Sequence, residues 1–265
     1  MKLNVSLIIS TYNWPGALNL CLQSVLHQSV LPNEIIIADD GSKEETRELI
    51  NSFKKICKIP LIHVWHEDKG FRKTMIMNEA FTKVSYPYIV QIDGDIILHK
   101  DFIKDHIRFA QSKSFVSGSR VIIDEKLTKK LIQKKQWKFS IFTNGLRNRL
   151  NGIRIPFLSK FQEHYRQNDI IYVRGCNMAF WKEDLLKVNG YDEEITGWGR
   201  EDNELAARLI NTGICKRVIK FSAIAFHLHH NLRSRDSVDQ NDVILNKTLS
   251  EKRIRCKQGI DSHRK

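Results

Sequence analysis

Glu34–Glu45 reads EIIIADDGSKEE. The apolar run Ile35–Ala38 predicts a strand, and Asp39-Asp40-Gly41 ends it with turn-forming residues. Ser42 followed three residues later by Glu45 is the pattern of a capping box that opens a helix. Leu49, Ile50, Phe53 and Ile56 then recur at helical spacing. The same unit repeats on either side. Upstream, Leu3–Ser10 reads as a buried strand and Pro15–His27 as a helix, with Asn13 placed to cap it and Pro15 in its first turn. Downstream, Leu61–Trp65 is a strand, Phe71–Val84 a helix, Tyr88–Ile92 a strand, Lys100–Gln111 a helix and Phe115–Ile123 extended. Short strands alternating with helices predict an α/β fold with a mainly parallel, doubly wound sheet. Ligands of such sheets sit at the carboxyl ends of the strands. That rule directs attention to Ser10–Asn13, Asp39–Ser42, His66–Arg72 and Asp93–Asp95.

The second half is less regular. Ile170–Trp181, a helix near Arg200–Asn211 and Val218–Phe226 rebuild structure, and a last helix is expected from Asp242 to Arg255. At 265 residues the chain suits one large domain, or one domain with an appended lobe. Its net charge of +13 is concentrated: Lys126–Arg166 holds eleven basic residues against one acid, Glu163. Trp137, Phe139, Ile141, Phe142, Leu146 and Leu150 interleave with that charge, a composition suited to an anionic surface, either of the acceptor or of a membrane. No nucleic-acid recognition motif accompanies it, so no nucleic-acid partner is expected. The five cysteines are scattered without metal-ligand spacing and read as reduced thiols. The N-terminal apolar run is too short and interrupted for a secretory signal, and no stretch is long enough to span a bilayer. A cytoplasmic protein with a peripheral contact at the inner membrane face is expected.

Four short elements carry chemistry. Asp93-Gly94-Asp95 closes an apolar strand, and two carboxylates one residue apart can reach a divalent cation or the groups it carries. Asp39-Asp40-Gly41-Ser42 is a tight strand-to-helix turn that also offers a carboxylate at a strand's end. Gly197–Glu204, GWGREDNE, sets glycines around a tryptophan and begins a helix with acids. Acids in a first helical turn complement the dipole, but that leaves the Gly-Trp-Gly lead-in unexplained; a tryptophan there offers a platform for a sugar's apolar face. An adjacent aspartate is positioned to take a hydroxyl proton, and the helix N-terminus is expected to keep it ionised. Phe226-His227-Leu228-His229-His230 places three histidines just after a strand, a denser cluster than structural histidines usually form.

Five pieces in order, VSLIISTYN (5–13), EIIIADDGS (34–42), DKGFR (68–72), DGD (93–95) and GWGREDNE (197–204), resemble the bacterial family 2 glycosyltransferases of GT-A fold. The last piece is similar to that of chondroitin-type polymerases and β-1,4-galactosyltransferases. The resemblance implies an inverting, metal-dependent transferase that moves a sugar from a nucleotide diphosphate donor, UDP-linked, to a saccharide or lipid-linked saccharide acceptor in surface polysaccharide or lipopolysaccharide synthesis. It implies that Ser10, Tyr12, Asp40, Asp68 and Arg72 line the nucleotide pocket and that Asp93 and Asn177 contact the donor. Asp95 and His227 would ligate Mn²⁺ or Mg²⁺, Trp198 and Glu201 would hold the acceptor, and Asp202 would be the general base. His229 and His230 have no firm counterpart, and Arg200 stands where the family often has glycine, a difference that bears on acceptor charge. Residues 1–125 would then form the nucleotide-sugar half, 126–232 the acceptor-binding and catalytic lobe of the same domain, and 233–265 a polar tail. A dinucleotide-binding enzyme is disfavoured, because neither G-x-G-x-x-G nor a phosphate-loop motif occurs. The alternative is a catalytically inactive relative that binds nucleotide sugar; the joint presence of Asp95, Asp202 and His227 argues against it.

Overall fold

The structure, a computed structural model, describes residues 3–231 and 236–264. Strand β1 (Val5–Thr11) leads into helix α1 (Pro15–Leu26), β2 (Glu34–Asp39) into α2 (Glu44–Ile56) and β3 (Leu61–Trp65) into α3 (Lys73–Thr82). β4 (Tyr88–Asp93), the short β5 (Ile96–Leu98), α4 (Phe102–Phe109), β6 (Ser114–Gly118), β7 (Arg120–Ile123) and α5 (Glu125–Gln133) complete the first half. β8 (Leu146–Arg147), α6 (Ser159–Gln162), β9 (Asn177–Trp181), α7 (Lys182–Val188), α8 (Glu201–Asn211), β10 (Cys215–Ile219), β11 (Ala225–His227) and α9 (Val238–Ser250) follow.

The central sheet runs β10-β6-β9-β4-β1-β2-β3. Its pairs are parallel except that β9 runs antiparallel between β4 and β6. Every residue of β1 and β2 is buried, as a strand covered on both faces requires. One face packs on Leu18 and Cys21 of α1, Ile50 and Phe53 of α2, and Phe102 of α4. The other packs on Ile76 and Met77 of α3, Leu185 of α7, and Leu205 and Leu209 of α8. Burying one such side chain contributes roughly 1.5–3 kcal/mol, so the sheet and its two helical layers hold the strand ends rigidly. A small sheet, β5-β11-β7-β8, packs Ile97, Val121 and Phe226 onto Ala17 and Leu20 of α1.

Several expectations from the sequence change in the structure. Phe115–Ile123 is not one extended segment: the chain breaks at Ser119, so β6 joins the large sheet and β7 the small one. Val218–Phe226 splits in the same way into β10 and β11, and only Asn177–Trp181 of the Ile170–Trp181 stretch is a strand. β9 and β10 come from the second half of the chain yet lie in the sheet of the first. The capping box does not form. Ser42 Oγ instead accepts the Asn13 amide at 2.8 Å, and Asn13 Oδ1 accepts the Lys43 amide at 2.8 Å. Two neighbouring strand-to-helix turns thus satisfy each other, an arrangement invisible to a reading of either turn alone. Gly41 in the second turn has φ +87°, and a Cβ there would lie 2.6 Å from the backbone of Asp68, so the turn demands glycine.

The boundary expected at 232–233 lies outside the described residues, as do Met1 and Lys2 of the N-terminal reading. Beyond it, α9 packs against α8: Thr248 Oγ1 donates to Glu204 Oε1 at 3.0 Å, and Glu204 is in turn locked to Arg208 at 2.6 Å. Asn241 of α9 donates to the carbonyls of Thr196 and Gly199, which fixes the loop ahead of α8.

Candidate active site

The carboxyl ends of β1, β2 and β4 bring Ser10, Asp40 and Asp93 to one crevice. Ser10 Oγ donates to Asp93 Oδ1 at 2.7 Å, and Lys73 Nζ meets the same oxygen at 2.8 Å. Burial opposes charge on Asp93, but the Lys73 ammonium and the two hydrogen bonds outweigh it and hold the carboxyl at about 2. Lys73 was not anticipated from the sequence. A lysine in the first turn of a helix is opposed by the helix dipole, and that was the available signal. Asp40 is gripped by His66 Nε2 at 2.8 Å and by the Arg72 amide at 3.0 Å. Ser10, Tyr12, Asp40, Asp93 and Asp95 line a cavity of 340 Å³, within the range of small-molecule sites.

At the edge of this cavity Asp95 Oδ2 lies 3.6 Å from His227 Nε2 and 3.5 Å from His230 Nε2. The ligand atoms of the three residues fall within 4.8 Å of one another. Asp95 Oδ1 is buried with no hydrogen-bond partner. Burial raises the Asp95 pKa, offset in part by His227, and burial lowers that of His227. A buried carboxylate with an orphaned oxygen, facing two imidazoles across gaps wider than good hydrogen bonds, fits a divalent cation. His230 is not in the ligand pair that the family resemblance implies. Leu228 is buried and its amide bonds to the Asp95 carbonyl at 3.0 Å, extending the antiparallel pairing of β11 with β5, and this carries His230 alongside Asp95.

The third part is the start of α8. Arg200 takes a left-handed conformation, φ +75°, and Glu201 accepts the Gly199 amide at 2.9 Å. Asp202 accepts the Tyr191 hydroxyl at 2.8 Å. A Cβ on residue 175 would lie 2.0 Å from Asp202 Oδ2, so glycine is required there, and its backbone also hydrogen-bonds the carboxylate. The expectation that the helix terminus keeps Asp202 readily ionised is corrected: burial prevails and raises its pKa, with Lys73 and Tyr191 opposing. Burial and the neighbouring Asp202 push Glu201 up to about 7. Asp202, His227, Arg120 and Arg174 line a second cavity of 580 Å³. Lys73, Asp93, Trp198, Glu201 and His230 line both cavities, so the two chambers meet at those side chains.

Three residues expected at the donor do not line either cavity. Asp68, exposed, accepts the Tyr12 hydroxyl at 2.9 Å, and the Arg72 guanidinium donates to the Glu67 carbonyl. Asn177 is fully buried, donating to the carbonyls of Ser119 and Ala223 and lying 3.0 Å from His106 Nε2. It ties the two sheets together and has no free polar atom for a donor. Arg200 is bound by Asp242 at 2.5 Å, so its charge is answered within the protein. None of the residues lining the second cavity comes from the basic segment 126–166.

The family profile described as "Glycosyl transferase family 2" matches residues 6–186. The profile "N-terminal domain of galactosyltransferase" matches 156–231. The chain is 26% identical over 253 residues to the chondroitin synthase of Escherichia coli, covering 84% of this chain but 34% of that protein. It thus spans about a third of the length of that relative. In structure it resembles Staphylococcus aureus TarS 1–349 in complex with UDP, with a TM-score of 0.66 at 13% identity, covering 98% of this chain and 68% of that one. It also resembles a mannosyltransferase from Pyrobaculum calidifontis in complex with GDP-Man and Mn²⁺, with a TM-score of 0.59 at 16% identity, covering 91% and 60%. These likenesses establish the GT-A glycosyltransferase fold.

Proposed function

The chain belongs to glycosyl transferase family 2, and from that premise we propose that it transfers a hexose or N-acetylhexosamine from a UDP-linked donor to a saccharide hydroxyl, with inversion. The observation that carries this reading is the meeting of two chambers at Asp93, Trp198 and Glu201, with Asp40 and Asp95 in the first, Asp202 and His227 in the second and His230 at both. The chamber of Ser10, Tyr12 and Asp40 takes the nucleotide, and Asp93, held ionised by Lys73, hydrogen-bonds the ribose or donor sugar. Asp95, His227 and His230 would hold Mn²⁺ or Mg²⁺, which when bound neutralises charge on the diphosphate. Trp198 stacks on the acceptor, and Glu201 orients it. The acceptor hydroxyl gives its proton to Asp202 as its oxygen bonds to the anomeric carbon. The bond from that carbon to the diphosphate breaks on the opposite face, and its electron pair leaves with the diphosphate. An α-linked donor therefore gives a β-linked product. The bound TarS and mannosyltransferase structures support a nucleotide donor, and the chondroitin synthase likeness supports a polysaccharide product. Incubation with a panel of nucleotide sugars and Mn²⁺ or Mg²⁺, following released nucleotide diphosphate, tests the reading; a protein that binds no nucleotide and turns over no donor ends it.

The pH profile follows from the acid pair. A general base acts ionised, and the pKa of Asp202 is raised with that of Glu201, the latter to about 7. kcat/KM is therefore expected to climb with rising pH until the acid pair is ionised and to level off above that. Tyr191→Phe removes the hydroxyl that stabilises the Asp202 carboxylate, so the climb is expected to move to higher pH. A profile unmoved by that substitution would detach Asp202 from the rate.

No helix among the described residues is long and apolar enough to cross a membrane. The basic segment is nonetheless studded with outward apolar side chains: Phe142, Leu150, Phe157 and Phe161 are 83%, 74%, 63% and 79% exposed. That combination suits an anionic lipid surface, as a peripheral enzyme at an inner membrane face would need. Co-sedimentation is expected to recover several-fold more protein with anionic vesicles than with neutral ones, and equal recovery would sink the membrane contact.

A further inference from the structure

Three arginines line the cavity of Asp202, and two of them have neither a carboxylate partner nor a part in the chemistry above: Arg120, the first residue of β7, and Arg174, next to Gly175. Four other inward arginines are paired with carboxylates, Arg208 with Glu204, Arg217 with Glu163, Arg154 with Asp105 and Arg200 with Asp242. Arg120 and Arg174 are treated differently. Arg120 gives one N–H to the sulfur of Cys176 at 3.5 Å, and Arg174 gives one to the Val173 carbonyl at 2.9 Å. An arginine has five donors, so most of each fork remains for a ligand. Neither residue lines the chamber of Ser10, Tyr12 and Asp40, so the charge faces the acceptor side.

Positive charge also accumulates behind Arg174. Its guanidinium carbon, that of Arg166 and the Lys216 ammonium all lie 5.2–5.8 Å from the ring centre of Tyr172. Asp169 answers Arg166 at 3.5 Å, which leaves an excess of cations. The arrangement costs stability: burial, with Arg166 and Arg174 nearby, holds Lys216 down to about 8. Asp93, Glu201 and Asp202 line the same wall, but among the described residues neither Arg120 nor Arg174 forms an ion pair with them, so both forks can take an anionic group.

We propose that the acceptor sugar carries an anionic substituent, a carboxylate or a phosphate ester, bound by Arg174 and Arg120 beside Asp202. A guanidinium fork matches either group bidentately. The inference rests on the transferase reading, which makes this cavity the acceptor's entry.

Binding tests it directly, by ligand-observed NMR with UDP and Mn²⁺ present and three probes: methyl β-glucoside, methyl β-glucuronide and methyl β-glucoside 6-phosphate. One charged probe is expected to bind about tenfold or more tighter than the neutral glucoside. Preference for the glucuronide identifies the carboxylate, and preference for the phosphate identifies the ester. Arg174→Ala should abolish the preference with UDP binding intact, whereas Lys134→Ala, exposed and outside the cavity, should leave it. Charged probes that bind no better than the neutral one overturn the proposal. So does a preference that survives Arg174→Ala, or one that Lys134→Ala removes equally. UDP bound without any charge preference defeats the acceptor assignment alone; a wild-type protein that binds no UDP defeats the transferase reading itself.

Discussion

Asp202→Asn is expected to lower sugar transfer by about 10²–10⁴-fold, the usual contribution of a positioned general base, while leaving UDP affinity within a factor of a few. The amide has the shape of the carboxylate but cannot accept a proton. Asp202 does not line the chamber of Ser10 and Asp40, so the donor side has no reason to respond. The Tyr191 hydroxyl and the Gly175 backbone bond to this carboxylate; the amide oxygen can keep one of them, and the loss of the other is local. Glu201 is adjacent and also high in pKa, so it is a rival base in reach. Its carboxylate is committed to the Gly199 amide at 2.9 Å, which aims it along the loop. Transfer rates and UDP affinity for Asp202→Asn and Glu201→Gln separate the two. A large fall in rate for the first, with a rise in acceptor KM for the second, is the expected pattern. The reverse would exchange their roles.

The second large effect is expected at the histidine cluster. Asp95→Ala should abolish metal-stimulated transfer, because it removes the only carboxylate of the cluster. His227→Ala and His230→Ala should each raise the Mn²⁺ concentration for half-activity by at least about 10–100-fold, more than the loss of a residue that merely orients a ligand. The imidazoles stand at almost equal distances from Asp95, 3.6 and 3.5 Å, so similar losses are expected. Mn²⁺ titration in the presence of UDP, read by electron paramagnetic resonance, measures the affinity apart from turnover. Normal Mn²⁺ binding by His230→Ala, with binding lost in His227→Ala, would reduce the site to the pair that the family resemblance implies. Normal binding in all three variants would remove the metal site from this cluster.

Periodicity and turn chemistry are properties of neighbouring residues, and what depends on them was legible in the sequence. The run Ile35–Ala38, the amphipathic spacing from Leu49 to Ile56 and the acids after each strand specified the alternating fold. Because ligands of such sheets gather at the strand ends, they also pointed to Ser10, Asp40, Asp93 and Asp95. The glycines around Trp198 pointed to the loop ahead of α8 in the same way. Tertiary structure decided whatever turns on which distant groups become neighbours. Antiparallel insertion of β9 buries Asn177 between the sheets, where its amide serves the fold. Pairing of β11 with β5, extended through Leu228, brings His230 beside Asp95. Packing against Tyr191 and Gly175 strips water from Asp202, so desolvation overrides the helix dipole that the sequence alone displays. Charge followed the same rule: none of the cations most conspicuous in sequence, 126–166, lines the second cavity, and Arg200 is claimed by Asp242 forty-two residues later. Arg120 and Arg174 are unremarked in sequence but line that cavity without a carboxylate of their own. Burial and pairing are long-range quantities, and only the folded chain sets them.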